Sequence, residues 1–387
     1  MEPDELKNLV RAGQFGAITL DTSIFDAQGL RLESGLLKQL EQFRDSSTRL
    51  ILSEVVREEI LSHLINKAID AQKAIENSLK HAKEHWQLEN QQIEDIKKII
   101  FGGREAQEIV SERFSQFVEF TSLDIVEAQN YVMVGELIQK YFQAKPPFSE
   151  TGKKKNEFPD AIALMSLETW ANKNQTKIIV VTSDNDWKNF CKGSERLIAI
   201  DDLARALGLF QLQDADDICR YLSERYQKGK LDDVKEAISN ALEQQMYELE
   251  IYPEASSSFG YEHDSIKVIF NGFEFKLFAP SNLIFRPVNF DDDGLVVEAK
   301  LSADVNIECE FSFFRYDSID KDDVPMGSGS ANIQTNLDVD ILVSFMGDLD
   351  KIGAEVKVDD VEINRVTHDV IDVGEIEPDW MHEDCDY

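Results

Sequence analysis

The segment Lys177-Ile178-Ile179-Val180-Val181-Thr182-Ser183-Asp184-Asn185-Asp186-Trp187 decides how this chain is read. Four apolar β-formers in an unbroken row predict a strand covered on both faces, as in a parallel sheet clad with helices. The run ends in Thr-Ser-Asp and passes into an amphipathic stretch. Its carboxylates therefore stand just past the carboxyl end of a strand, where open α/β sheets place their ligands. Taken alone, Ser183 or Asp184 reads equally well as the cap of the next helix.

Outward from this segment the same arrangement recurs. Residues 4–13 predict a short helix, and Gly16-Ala-Ile-Thr-Leu-Asp21-Thr22-Ser23 predicts a strand ending in an acid and two hydroxyls. Leu36, Leu37, Leu40 and Phe43 follow at helical spacing. Arg49-Leu-Ile-Leu52 is a second strand, and Ser53-Glu54-Val-Val-Arg-Glu58-Glu59 opens a helix. From about residue 59 to 142 the pattern is helical, broken at Gly102-Gly103 and Thr121-Ser122. Its portion 66–100 is polar enough to be a solvated arm. Pro146-Pro147 closes the block, and Gly152-Lys153-Lys154-Lys155 leads into Phe158-Pro159-Asp160 and an amphipathic helix through Trp170. Arg196–Ile200 is the last strand of the region. Alternating strands and helices imply right-handed crossovers and a parallel sheet.

In such a sheet, strand ends of one polarity and the starts of the following helices share an edge. Asp21, Glu58, Asp160, Asp184 and Asp186 thus arrive at one place from different elements. Each has a bland explanation, since acids favour the first turn of a helix and the turn after a strand. Their coincidence on one edge favours a site. Carboxylates crowded together raise one another's pKa. A bound divalent cation removes that cost, and all-oxygen ligands suit Mg²⁺ or Mn²⁺.

Ile18-Thr-Leu-Asp21-Thr-Ser23, Ser53-x-Val55-x-x-Glu58, Phe158-Pro-Asp160-Ala and Val181-Thr182-Ser183-Asp184-x-Asp186 resemble, in order, the four acidic motifs of PIN-domain ribonucleases. The resemblance spans about residues 15–205 and is nearest to a bacterial PIN-like branch with a long helical insertion. It implies a three-layer α/β domain and metal-dependent hydrolysis of phosphodiesters, with RNA favoured over DNA. It also implies that Asp21, Glu58, Asp160 and Asp184 are catalytic, metal-binding acids, with Asp186 a fifth ligand and Thr182 and Ser23 in support. Glu54 and Glu59 compete with Glu58 for the second role. Lys153, Lys154 and Lys155 would hold the nucleic-acid backbone beside the metal, or be a solvated loop. A place in defence, or as a regulated toxin, follows by analogy with such bacterial nucleases.

Composition bounds the remainder. The 387 residues predict two to three domains and carry a formal net charge of −34. Residues 1–210 hold 26 basic against 33 acidic residues, net −7, and the rest of the chain is at −27. The acidic part repels phosphate backbones, so nucleic acid must be gripped by the first half. Four scattered cysteines without a CxxC pair, no signal sequence and no long apolar run suggest a cytoplasmic protein without a membrane span. The expected organisation is a PIN-like domain over 1–208 with its insertion at about 60–145, a helical connector over 209–250, and an acidic antiparallel β domain over 251–387. That last domain would be regulatory or partner-binding. In it, Asn271-Gly272 predicts a hairpin with a type I′ turn, and the alternation from Leu295 to Phe313 predicts a strand too long to run without a bend or break. Two rival functions stand beside the nuclease. One is an inactive scaffold recruiting proteins through the β domain, and the other is a phosphoesterase for small molecules.

Overall fold

The computed structural model describes residues 3–148, 157–247, 249, 251–291, 294–319, 321–347, 356–367 and 370–381. The Lys153–Lys155 run and the last six residues lie outside them. Two compact units divide at the Phe210–Gln211 bond.

In the first unit the chain runs α1 (Pro3–Arg11), β1 (Phe15–Leu20), α2 (Thr22–Ala27), α3 (Gly35–Lys38), β2 (Arg49–Ser53), α4 (Glu54–Trp86), α5 (Asn90–Phe101) and α6 (Ala106–Thr121). It continues through β3 (Asp124–Val126), α7 (Val134–Phe142), α8 (Phe158–Lys173), β4 (Lys177–Val181), α9 (Asn185–Lys192), β5 (Leu197–Ile200) and α10 (Leu203–Gly208). The five strands form one parallel sheet in the order β3-β2-β1-β4-β5. Ile18, Leu20 and all of Ile178 to Val181 are without exposed surface, which is why these strands read as continuous apolar runs. The register sets Leu20 opposite Val181 and Val181 opposite Ile200. Asp21 and Thr182, one residue further on, are therefore neighbours. β3 is a fifth strand that the helical pattern concealed, since three residues carry no periodicity of their own.

α4 begins at Ser53, whose hydroxyl caps Val55 N at 3.3 Å, and runs for 33 residues. Only Val56, Ile60 and Leu64 of it are buried, so its outer turns are the expected solvated arm. Gly102 closes α5 at a φ of 61°, the left-handed conformation glycine adopts without a Cβ penalty. Phe114 and Phe117 of α6 are core, Phe117 meeting Phe25 edge-on at 6.2 Å. His63 pairs with Asp26 at 2.9 Å near the surface, bracing α4 against α2.

The second unit contains α11 (Gln213–Gln227), α12 (Asp232–Met246), β6 (Tyr252–Ser256), β7 (Gly260–Lys276), β8 (Arg286–Phe290), β9 (Leu295–Asp317), β10 (Asp322–Met346), β11 (Lys357–Thr367) and β12 (Val370–Glu375). Its antiparallel sheet has the order β11-β10-β9-β7, with β8 paired to the start of β9, and β6 and β12 form a separate parallel pair. The helices of the predicted connector are part of this unit's core. Ile218, Leu222, Ile238, Leu242 and Met246 are buried with Val297, Leu301, Val305 and Ile341. Gln245 ties α12 to β11, donating to Val361 O and accepting from Ile363 N. Two other expectations fail. Asn271-Gly272 makes no hairpin, because β7 continues through it with a register shift between Phe270 and Gly272. β9 runs unbroken for 23 residues, its irregularities taken up by its neighbours β7 and β10.

Candidate active site

Asp21 follows β1 and caps the start of α2 with its backbone extended. Its Oδ2 accepts from Ser23 Oγ at 2.6 Å and Thr182 Oγ1 at 2.9 Å, and only 5% of the residue is exposed. Thr182 Oγ1 in turn accepts from Asp184 N at 3.0 Å, so one hydroxyl fixes two of the acids. Ser23 also meets Ser183 Oγ at 2.9 Å, binding the ends of β1 and β4 together.

Asp184 is the N-cap of α9. Its Oδ1 accepts from Asp186 N at 2.6 Å and Trp187 N at 3.1 Å, so the capping role that the sequence allowed is present. Its Oδ2 has no hydrogen-bond partner among the described residues. Capping therefore occupies one oxygen and leaves the other for a ligand.

Asp160 is delivered by the first turn of α8, with Pro159 at the helix start. Phe158, just before it, packs on Tyr141 and Phe148 with ring centres 5.0 and 5.1 Å away. The Asp160 Oδ1 accepts from the buried Trp187 indole Nε1 at 2.8 Å. Burial is the main cause that raises its pKa to about 6, with the charges of Asp184, Asp21 and Glu59 adding to it and the Trp187 hydrogen bond opposing. Asp21 is likewise raised, first by burial and then, against its two hydroxyl donors, by Asp184. Asp186 is raised by burial, Asp184 and Glu157.

Of the acids that compete for the second role, Glu58 and Glu59 have different surroundings. Glu58 is exposed and paired with Arg57 at 2.6 Å. Glu59 accepts from Thr22 Oγ1 at 2.5 Å and contributes to the field on Asp160. Helical phase explains the difference. At about 100° per residue, Glu59 flanks the buried Val56–Ile60–Leu64 stripe, whereas Glu58 lies on the far side. That signal was available in the sequence and outweighs motif spacing. Thr22 and Trp187, which hold Glu59 and Asp160, were given no role in the sequence reading. Lys153, Lys154 and Lys155 lie outside the described residues.

The candidate donors are all hard oxygens and concentrate negative charge at the sheet edge, which fits Mg²⁺ or Mn²⁺ in chemistry. Among the described residues, no group of three or more Asp, Glu, His or Cys stands close enough to hold an ion as the side chains are placed. No helix among them is long and apolar enough to cross a membrane.

The sequence from residue 18 to residue 187 matches the PIN domain family. Neither a curated protein nor a solved structure matches the chain. The matched region opens inside β1 and ends at the tryptophan that holds Asp160, so it takes in Asp21, Glu59, Asp160 and Asp184. With the parallel sheet and the acids at its carboxyl edge, residues 18–187 are a PIN domain, a fold of nuclease type.

Proposed function

We propose that the first unit is a metal-dependent phosphodiester hydrolase, a nuclease that favours RNA over DNA. The observation that carries this reading is the surroundings of Asp160, where acids from four separate elements act on one another. Asp21, Glu59, Asp160 and Asp184 would hold the ion, with Asp186 at the rim. A divalent cation there would lower the pKa of a bound water and screen the phosphodiester.

The chain's own residues prepare the site. Thr182 and Ser23 fix the Asp21 carboxyl, Thr22 orients Glu59, and the Trp187 indole orients Asp160. Each bond turns one oxygen of its acid toward a fixed donor, which reduces the reorganisation needed when a substrate arrives. The preference for RNA rests on family likeness. The wide placement of the acids favours one second reading, a non-catalytic scaffold.

Purified protein should be assayed on RNA, single- and double-stranded DNA and para-nitrophenyl phosphate, with Mg²⁺, Mn²⁺ or EDTA. The nuclease reading expects metal-dependent cleavage of nucleic acid that Asp160→Asn abolishes. Cleavage of the small ester alone identifies a phosphoesterase. No turnover with either ion leaves the scaffold.

A further inference from the structure

A groove of about 600 Å³ runs along the edge strand β5, lined also by Asn185, Lys188 and Lys192 of α9 and Arg205 of α10. Its size lies within the range of ligand clefts. In so acidic a chain, three cations in one groove is unusual. Among the described residues none of the three is paired with a carboxylate, and Lys192 has only Asn189 Oδ1 at 3.1 Å. Asp201 is the one acid in the lining. Cys191 adds a neutral wall, its thiol pushed up to about 12 by burial.

The groove's lining includes Asn185, the residue that follows Asp184 of the candidate active site. Asp184, Lys188 and Lys192 follow at i, i+4 and i+8, on one face of α9. From Asp184 to Lys192 the helix rises about 12 Å, the reach of a few nucleotide steps. Arg205 faces the same space from another element. Ammonium and guanidinium groups without carboxylate partners suit phosphate oxygens, which position a strand without reading its sequence.

The geometry points to this groove as the binding track for the sugar-phosphate backbone of a single nucleic-acid strand, held by Lys188, Lys192 and Arg205 as it leaves the acid cluster. The inference rests on the nuclease reading for its direction. The competing occupant is a peptide added to the open edge of β5.

The full chain, with EDTA present so that no cleavage occurs, is titrated with a short single-stranded oligonucleotide across a salt series. The Lys188→Ala/Lys192→Ala/Arg205→Ala variant should bind about ten-fold or more weakly at about 50 mM salt, and its log–log salt slope should be smaller by about 2, near 0.7 for each phosphate left without its cation. Lys188→Arg/Lys192→Arg should bind as the wild type does, and thermal melting confirms that both variants are folded. Unchanged binding by the alanine variant overturns the proposal and favours the peptide. Equal loss in the arginine variant, or a mononucleotide binding as tightly as the oligonucleotide, also overturns it. Cleavage by the wild type with Mn²⁺ is measured separately. A protein that binds strands through the groove but cleaves nothing refutes the nuclease reading alone, and one that cleaves with the groove immaterial refutes this inference alone.

Discussion

The two units treat their acids in opposite ways. The second is far the more acidic, at −27 against −7, yet several of its acids are spread singly along its strands. There they meet cross-strand partners: Lys276 with Asp338, Lys267 with Glu308, Ser312 with Asp264, and Gln334 with Asp304. The first unit has fewer acids but draws several of them to one sheet edge, where burial and mutual repulsion push Asp160 up to about 6. Acidity in itself is therefore not the mark of a site. Convergence from separate elements, at an electrostatic cost the fold maintains, is the more telling feature.

The largest expected effect would break this contrast. Asp160→Asn or Asp21→Asn should lower metal-dependent cleavage by about 10³-fold, the order expected on losing a principal electrostatic group. Asp304→Asn/Glu308→Gln in the second unit should leave initial rates unchanged. Comparable losses from both sets would mean that convergence carries no special chemistry.

A finer division lies within α4. Glu59→Gln should cost about 10²-fold in rate and Glu58→Gln less than about two-fold, since only the former faces Asp160. The reverse order in single-turnover rates would restore the motif's first choice. Trp187→Phe removes the donor to Asp160 Oδ1. It should slow cleavage by about ten-fold and raise the Asp160 pKa further, because that bond favours the charged carboxylate.

The charge difference between the units gives a smaller, salt-dependent effect. Residues 1–210 alone should bind nucleic acid more tightly than the full chain, because the acidic unit repels phosphate. The gap should close as the Debye length falls from about 10 Å at 0.1 M to about 3 Å at 1 M salt. Weaker binding by the truncated chain at every salt concentration would make the β unit a reader of substrate.

The smallest effect is on stability. The folded-state pKa of Asp160 is raised, so the protonated carboxyl is favoured in the fold. Its stabilising contribution is complete below about pH 4 and is lost as pH rises through about 6. In EDTA, the wild-type melting temperature should therefore decline across that window more than that of Asp160→Asn. An equal slope in thermal scans would place this carboxyl outside the proton linkage.

What the sequence made legible follows from burial. β1 and β4 are covered on both faces and flow straight into acids, so strand and site were read together. The same logic fails where a tertiary choice decides. Nothing in Asp124-Ile-Val126 distinguishes a three-residue strand from a loop until Ser53 pairs with Val126. Asn271-Gly272 has strong turn chemistry, but β9 pairs on both sides of it and a bulge absorbs the extra residue. The helices α11 and α12 and the antiparallel sheet were both expected, but not that the helices share the sheet's core, because which surface an apolar helix face covers is a tertiary choice. Glu59 stood only as an alternative to Glu58 because spacing within a motif was weighted above helical phase.

Trp187 has a consequence for observation. Trp86 and Trp380 are exposed at 81% and 49%, while Trp170, buried like Trp187, lies beneath Arg49. Trp187 alone donates its indole proton to an acid of the cluster. Emission from an indole responds to the charge on its hydrogen-bonded partner, so the cluster carries its own optical probe. Any ion or strand that alters the Asp160 carboxyl announces itself in the native fluorescence of the protein, without a label.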